Sequence, residues 1–395
     1  MKEFGGQIGD FDEIINRVGT HSDKWDSMET NYGVSPERGL AMWVADMDFR
    51  PPQCATDAIK RMCDHGIYGY FGDDADYKSS IIWWMKECHQ WNVKPEWIFS
   101  TNGLVNGTAL CVQAFTEKDD AIVLFTPVYH AFARVIEAAD RTVTECPLVI
   151  ENGRYVFDFE AYEKLLTGKE TMLILCSPHN PGGTVWLRQE LEELADFAIK
   201  HNLKIVSDEI HHDLIMPGQL HIPMAEVKKD ISDRLIMMTA PTKTFNIAGC
   251  HTGNVIIEDE KLRAIFAKTM KATGTSANAF GLHMTEAVYS PDGAYWVGAL
   301  MRYIDENARI FDEGINEIKG AQSMGLQATY LSWVDFTETS LSPMYIAERI
   351  QDVAEIAASH GTTFGKGGEN FMRFNIGMPR ARLEDAVQRL HKAFA

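Results

Sequence analysis

The chain has 395 residues, a hydrophobic content of 45% and a formal net charge of −19. That length exceeds what one core usually holds and predicts two domains, with ample apolar residues for packed interiors. The acidity argues against nucleic acid as a partner, because phosphate binders concentrate Lys and Arg, and no apolar run of about 18 residues predicts a membrane span.

Seven cysteines, with no Cys-x-x-Cys pair, read as reduced thiols and predict a cytoplasmic protein. Met1 to Gly6 carry no apolar signal segment. Residues 1–45 read as an irregular, partly helical N-terminal arm. Between about residues 50 and 285, short apolar runs alternate with helical patterns, which predicts βαβ units and a mainly parallel sheet. The first run, Trp97–Thr101, leads into Asn102-Gly103-Leu104-Val105, and Val105, Ala109 and Val112 then recur at helical spacing. A helix starting there turns the free N–H groups of Gly103, Leu104 and Val105 toward an anion, with the helix dipole assisting.

The run Ala121–Phe125 ends at Thr126-Pro127-Val128-Tyr129. On the residues alone, Tyr129 reads as a core tyrosine closing a strand. Three further runs stop at polar motifs. Met172–Cys176 meets Ser177-Pro178-His179-Asn180-Pro181, Leu203–Ser207 meets Asp208-Glu209-Ile210-His211, and Leu235–Thr239 meets Ala240-Pro241-Thr242-Lys243. Apolar runs without alternation read as parallel strands buried on both faces. Asn254–Ile257 is another strand. From Tyr295 to Lys319 the pattern is helical and leads to a second region, with strands at Tyr330–Phe336 and Phe371–Ile376 and a helix expected from Pro343 to His360. Arg373 sits inside the otherwise apolar Phe371-Met372-Arg373-Phe374. Its guanidinium binds a substrate carboxylate, pairs with an internal acid or snorkels to solvent.

In open α/β sheets, ligands bind beyond the carboxyl ends of the strands. A lysine, an acid and an asparagine delivered there in separate motifs suit pyridoxal 5′-phosphate (PLP). The Lys243 amine bonds the cofactor aldehyde until a substrate amine displaces it. Asp208 pairs with the pyridine nitrogen, so the ring can absorb electrons from Cα. Asn180 supplies a hydrogen bond near the ring hydroxyl, and the Thr242 hydroxyl is a further phosphate donor.

These motifs, with Ala45-Asp46-Met47-Asp48-Phe49, His65-Gly66-Ile67-Tyr68-Gly69-Tyr70 and Met372-Arg373-Phe374-Asn375-Ile376-Gly377, resemble the fold-type-I PLP enzymes of the aspartate-aminotransferase fold. Within that superfamily the chain is most similar to the MalY/PatB-type cystathionine β-lyases, or C–S lyases. The resemblance implies an α/β, PLP-dependent transferase-like fold. Its large PLP-binding domain, residues 50–288, would hold a mainly parallel mixed sheet flanked by helices. Residues 1–49 and 289–395 would form a smaller α/β domain with the N-terminal arm. It also implies that Tyr129 stacks on the cofactor face, that His211 donates to the ring hydroxyl (a packing role being the alternative), and that Arg373 binds the substrate carboxylate. His212 carries no role in this reading. Tyr70 would reach across a homodimer interface to the phosphate of the neighbouring site.

Many aminotransferases carry a phosphate-binding serine where Ala240 stands and an arginine where His251 stands. The C–S lyases also lack that arginine. The expected reaction is β-elimination from cystathionine or a related cysteine S-conjugate, giving a thiol, pyruvate and ammonia. An aminotransferase would use the same Lys243, Asp208 and Arg373 and remains the alternative. A non-catalytic regulator would be expected to lack the lysine or the acid, and both are present.

Overall fold

Strands with no polar face must be covered on both sides. The structure, a computed structural model describing residues 9–395, covers them with helices. Residues 1–8, the start of the expected N-terminal arm, lie outside the described residues. In chain order the strands are β1 (Leu40–Ala41), β2 (Ile98–Thr101), β3 (Ala121–Thr126), β4 (Thr142–Pro147), β5 (Val149–Glu151), β6 (Arg154–Val156), β7 (Glu170–Cys176) and β8 (Lys204–Asp208). There follow β9 (Leu235–Thr239), β10 (Gly253–Ile256), β11 (Gln322–Ser323), β12 (Leu331–Asp335), β13 (Ile356–Ala357), β14 (Ser359–His360) and β15 (Phe371–Asn375).

Seven strands form one sheet in the order β2-β10-β9-β8-β7-β3-β4. It is mainly parallel, as expected, with β10 antiparallel to both its neighbours. Alternate side chains go to opposite faces, which explains why every second residue is not polar. Ile122 and Leu124 of β3, Met172 and Ile174 of β7, and Ile236 and Met238 of β9 join a core with Leu110, Phe115 and Phe266. Val123, Phe125, Leu173, Leu175 and Met237 join the other core with Leu191 and Leu194 of the helix Arg188–Lys200. Because β7, β8 and β9 are neighbours, with Asp208 level with Cys176 and Met238, the three polar motifs emerge side by side.

The helix Pro291–Asn316 starts earlier than the apolar periodicity suggests, because the Ser290 side chain caps the Gly293 N–H and Pro291 sits in the first turn. It leads to a four-stranded antiparallel sheet, β11-β12-β15-β14. The expected helix from Pro343 to His360 is corrected here. It runs Pro343–Glu348, continues as one wide turn over Arg349–Val353, and ends before Glu355, whose φ of 53° is left-handed. Ile356–Ala357 then pairs with Leu40–Ala41, and Ser359–His360 with Arg373 and Met372. Pairing outside the segment overrode its helical pattern. Strand β4 and the β5–β6 hairpin were not foreseen; β4 lies at the sheet edge, where burial is incomplete and the apolar signal weak. No helix among the described residues is long and apolar enough to cross a membrane.

The N-terminal arm is tied down by charge. Asp48, 1% exposed, accepts from Trp25 Nε1 at 3.0 Å and pairs with Lys24 at 3.1 Å and Arg17 at 2.8 Å. Burial pulls its pKa upward, but Lys24, Trp25 and Arg17 outweigh burial and hold the carboxyl below its ordinary 3.8. A depressed carboxylate contributes stability above its unfolded-chain pKa and loses it as pH falls through the folded value. Asp48→Ala leaves the fully buried Lys24 with only the Asp46 carbonyl at 3.1 Å and the Asp46 carboxylate at 3.8 Å, and should cost about 3 kcal/mol at neutral pH. Urea unfolding should show this deficit shrinking as the pH drops below the ordinary aspartate range, whereas a deficit independent of pH would place the loss in packing instead.

Candidate active site

Each polar motif begins where a buried strand ends, so its side chains are projected into a common crevice from rigid backbone. Asp208 closes β8 and is 5% exposed. Its Oδ1 accepts from the Ile210 N–H at 3.1 Å, and among the described residues no cation forms a salt bridge with it. Burial pushes its pKa up to about 7, against the Ile210 hydrogen bond and the charge of Lys243 and with the charge of Glu209. A buried carboxyl in this state is suited to an incoming N–H cation.

Lys243 lies in the short helix Pro241–Thr244 that follows β9. Its Nζ donates to the Ala45 carbonyl at 2.6 Å, and the Tyr330 hydroxyl donates to the same oxygen at 2.9 Å. Burial lowers the amine pKa to about 8, with Asp46 and Asp208 opposing and Arg373 assisting. A larger neutral fraction makes the amine a better nucleophile and base.

Arg373, 4% exposed on β15, comes from the other sheet. Its partners are all neutral: Asn180 Oδ1 at 3.0 Å, the Trp43 carbonyl at 2.8 Å and Ser359 Oγ at 3.2 Å. Its Nε has no partner, and its guanidinium lies 4.9 Å from the Phe364 ring centroid. Burial lowers its pKa to about 10, although Tyr129, Tyr32 and Tyr330 work against that. A buried guanidinium with no acid opposite is prepared for a ligand carboxylate.

Asn180, 4% exposed, therefore touches Arg373 directly. Tyr129 is partly buried and close enough to Arg373 and Asp208 for both charges to act on its hydroxyl, whose pKa burial raises. His211 is 1% exposed with Nδ1 unpartnered; burial, then the charges of Lys243 and Arg373, hold it neutral with a pKa of about 3. Gly103, at φ 81°, is the N-cap of the helix Leu104–Phe115, so the N–H groups of Gly103, Leu104 and Val105 lie at its open end. A side chain built at Gly103 would come within 4.0 Å of His251. Thr242 is 5% exposed beside Lys243, and Ala240 is buried.

The structure thus gathers Asn180, Asp208, His211, Lys243 and Arg373, with Tyr129 beside them. It does not bring Tyr70 to them within one chain: Tyr70 is fully exposed, and Ile67 and Tyr68 are also largely exposed. The backbone carbonyls of Trp43 and Ala45, together with Tyr330 and Ser359, were missed by sequence reasoning. Carbonyls leave no residue-type signature, and Ser359 fell inside an expected helix. The motif starting at Ala45 was the one available signal.

PLP fits these residues. An uncompensated buried acid, a neutral-leaning amine, an orphaned imidazole Nδ1 and an open helix end match its pyridine nitrogen, aldehyde, hydroxyl and phosphate.

The family described as "Aminotransferase class I and II" matches residues 41–390. Cystathionine beta-lyase PatB of Bacillus subtilis (strain 168) is 39% identical, over 98% of this chain and 100% of that protein. Among solved structures, a PLP-bound putative aminotransferase from Clostridium difficile 630 has a TM-score of 0.94 at 36% identity, covering 98% of this chain and 100% of that one. Cystalysin from Treponema denticola, which contains a pyridoxal 5′-phosphate cofactor, has a TM-score of 0.93 at 35% identity, covering 98% and 99%.

Borohydride reduction of the PLP-loaded protein should fix the cofactor on the peptide containing Lys243, as read by mass spectrometry. Label on a different lysine, with Lys243 unmodified, would overturn the assignment.

Proposed function

The chain belongs to the class I and II aminotransferase family, and from that premise we propose that it is a PLP-dependent carbon–sulfur β-lyase. Its substrate is cystathionine or a related cysteine S-conjugate, cleaved to a thiol, pyruvate and ammonia. The observation that carries the reading is that two buried groups with only neutral hydrogen-bond partners, Asp208 and Arg373, both lie close enough to the Lys243 amine for their charges to act on it. The choice of elimination over transamination rests on the cystathionine β-lyase relative and on Ala240 and His251 standing where many transaminases carry serine and arginine.

When bound, PLP supplies an electron sink for charge developing at the substrate Cα. Asp208 would accept the pyridine N–H in its carboxylate. His211 and Asn180 would hydrogen-bond at the ring hydroxyl, and Tyr129 would cover a ring face. The N–H groups of Gly103, Leu104 and Val105 and the Thr242 hydroxyl hold the phosphate. Arg373 clamps the α-carboxylate and so fixes the orientation of Cα. Lys243 Nζ would take the Cα proton, and Lys243 or water would supply a proton to the departing sulfur. The Ala45 carbonyl holds Nζ in reach of these positions.

We assign residues 50–288 to a large PLP-binding domain and residues 1–49 with 289–395 to a small one; the separate sheets that supply Lys243 and Arg373 support the division. The seven free thiols support a cytoplasmic location. The assembly we propose is a homodimer with shared sites, with neither nucleic acid nor membrane as a partner. Exposed Ile67, Tyr68 and Tyr70 support a covered surface there.

Cystathionine alone, without a keto acid, should yield thiol and pyruvate in equal amounts over many turnovers. Arg373→Lys should raise KM by roughly tenfold or more, about 1.4 kcal/mol per factor of ten, because a point charge cannot reproduce the planar fork. Strict dependence on an added keto acid, with no thiol released, would make the protein a transaminase.

Tyr70→Phe should weaken PLP retention without lowering thermal stability of the chain. Mixing Tyr70→Phe chains that have lost PLP with inactive Lys243→Ala chains and adding PLP should restore activity, since one site of each hybrid dimer is intact. A fully active monomer in sedimentation experiments would refute the shared site.

A further inference from the structure

Apart from the residues assigned above, a second group of ionisable side chains closes around Asp213. Asp213 Oδ1 lies 2.7 Å from His89 Nε2, and Oδ2 lies 3.2 Å from His212 Nε2. Trp84 Nε1 and Thr244 Oγ1 donate to the same carboxylate at 2.8 and 2.7 Å. Glu209 and His221 form an adjoining pair at 2.8 Å. The ring centroids of His89 and His212 are 4.2 Å apart, and each is 6.1 Å from that of His221.

Two features point to a ligand. His212 is 1% exposed, and despite its closeness to Asp213 its Nε2 makes no hydrogen bond. The cluster also holds two carboxylates with buried side chains, Asp213 and Glu209, whose salt-bridge partners among the described residues are imidazoles and never Lys or Arg. A divalent cation offsets both carboxylates and leaves every imidazole in its neutral, metal-binding form.

We propose that His89, His212 and Asp213 form a site for one divalent transition-metal ion of the zinc class, with water in a fourth position. Imidazole with one carboxylate is a donor set suited to zinc. Bonds of about 2.0–2.1 Å in tetrahedral geometry put neighbouring donor atoms about 3.3 Å apart. The three donor atoms already lie within 4.8 Å of one another, so small side-chain rotations complete the geometry. Glu209, His212 and His221 also converge within 4.8 Å, but Asp213 is the carboxylate within 3.2 Å of the unpartnered His212 nitrogen. Trp84 and Thr244 orient Asp213, as outer partners orient metal ligands. The ion would brace the end of the helix Ala75–His89 against the segment after β8 and, through Thr244, the short helix carrying Lys243.

The test adds zinc chloride to the PLP-loaded enzyme, desalts it, and measures zinc by elemental mass spectrometry alongside cofactor absorbance and melting temperature. Wild type should keep roughly one zinc per chain and melt higher with zinc than without. His212→Asn and His89→Asn should lose the zinc and the melting shift, and His221→Asn should keep both. Cobalt(II) should give the visible bands of a tetrahedral ion in wild type and not in His212→Asn. Wild-type protein that keeps no zinc overturns the proposal without needing any variant to fold. Retention by His212→Asn, or loss from His221→Asn with retention by His89→Asn, overturns the assigned ligands.

Discussion

The site depends on one stretch of backbone, Trp43 to Met47, whose carbonyls receive hydrogen bonds from both halves of the molecule. Trp43 accepts from Arg373 and Ser359, Val44 from Asn375, Ala45 from Lys243 and Tyr330, and Asp46 from Lys24 and Asn375. Asn246, two residues beyond Thr244, fixes the next residue by bonding both the N–H and the carbonyl of Met47 at 2.8 Å. The strap therefore sets the separation between the lysine in the short helix after β9 and the arginine on β15. Because buried carbonyls must be satisfied, this geometry is maintained by the same bonds that keep the strap folded.

The charges in the crevice are arranged against ordinary stability. Asp208, Lys243 and Arg373 are each shifted toward neutrality by burial, to about 7, 8 and 10. A folded chain gains nothing from an acid and a guanidinium that have only neutral partners. Perturbed groups of opposite sign around a nucleophilic amine are a recurrent signature of functional sites. A cofactor cation opposite Asp208 and a substrate carboxylate opposite Arg373 would relieve both penalties, so binding and compensation are the same event.

Sequence reasoning reached furthest where local chemistry decides the outcome. The apolar runs ending at Asn180, Asp208 and Lys243 became adjacent strands because runs with no polar face can only be buried. The segment from Pro343 to His360 shows the opposite case: its pattern is helical, yet residues after Glu355 are extended because Leu40–Ala41 and β15 offer strand partners. His212 reads as a bystander in the sequence and sits, in the fold, against Asp213 and His89.

The sequence by itself determined the fold class, the cofactor chemistry and the residue types that serve it, since these follow from periodicity, from the reactivity of a lysine and an acid, and, for the arginine, from the resemblance of its motif to the family's. Tertiary structure alone decided which neutral groups surround Arg373, which carbonyl holds Lys243, and how far each pKa moves. Those depend on burial and on contacts such as Ala45 with Lys243 or Trp43 with Arg373, far apart in the chain. Long-range contacts and desolvation are properties of the packed molecule, and no local pattern encodes them.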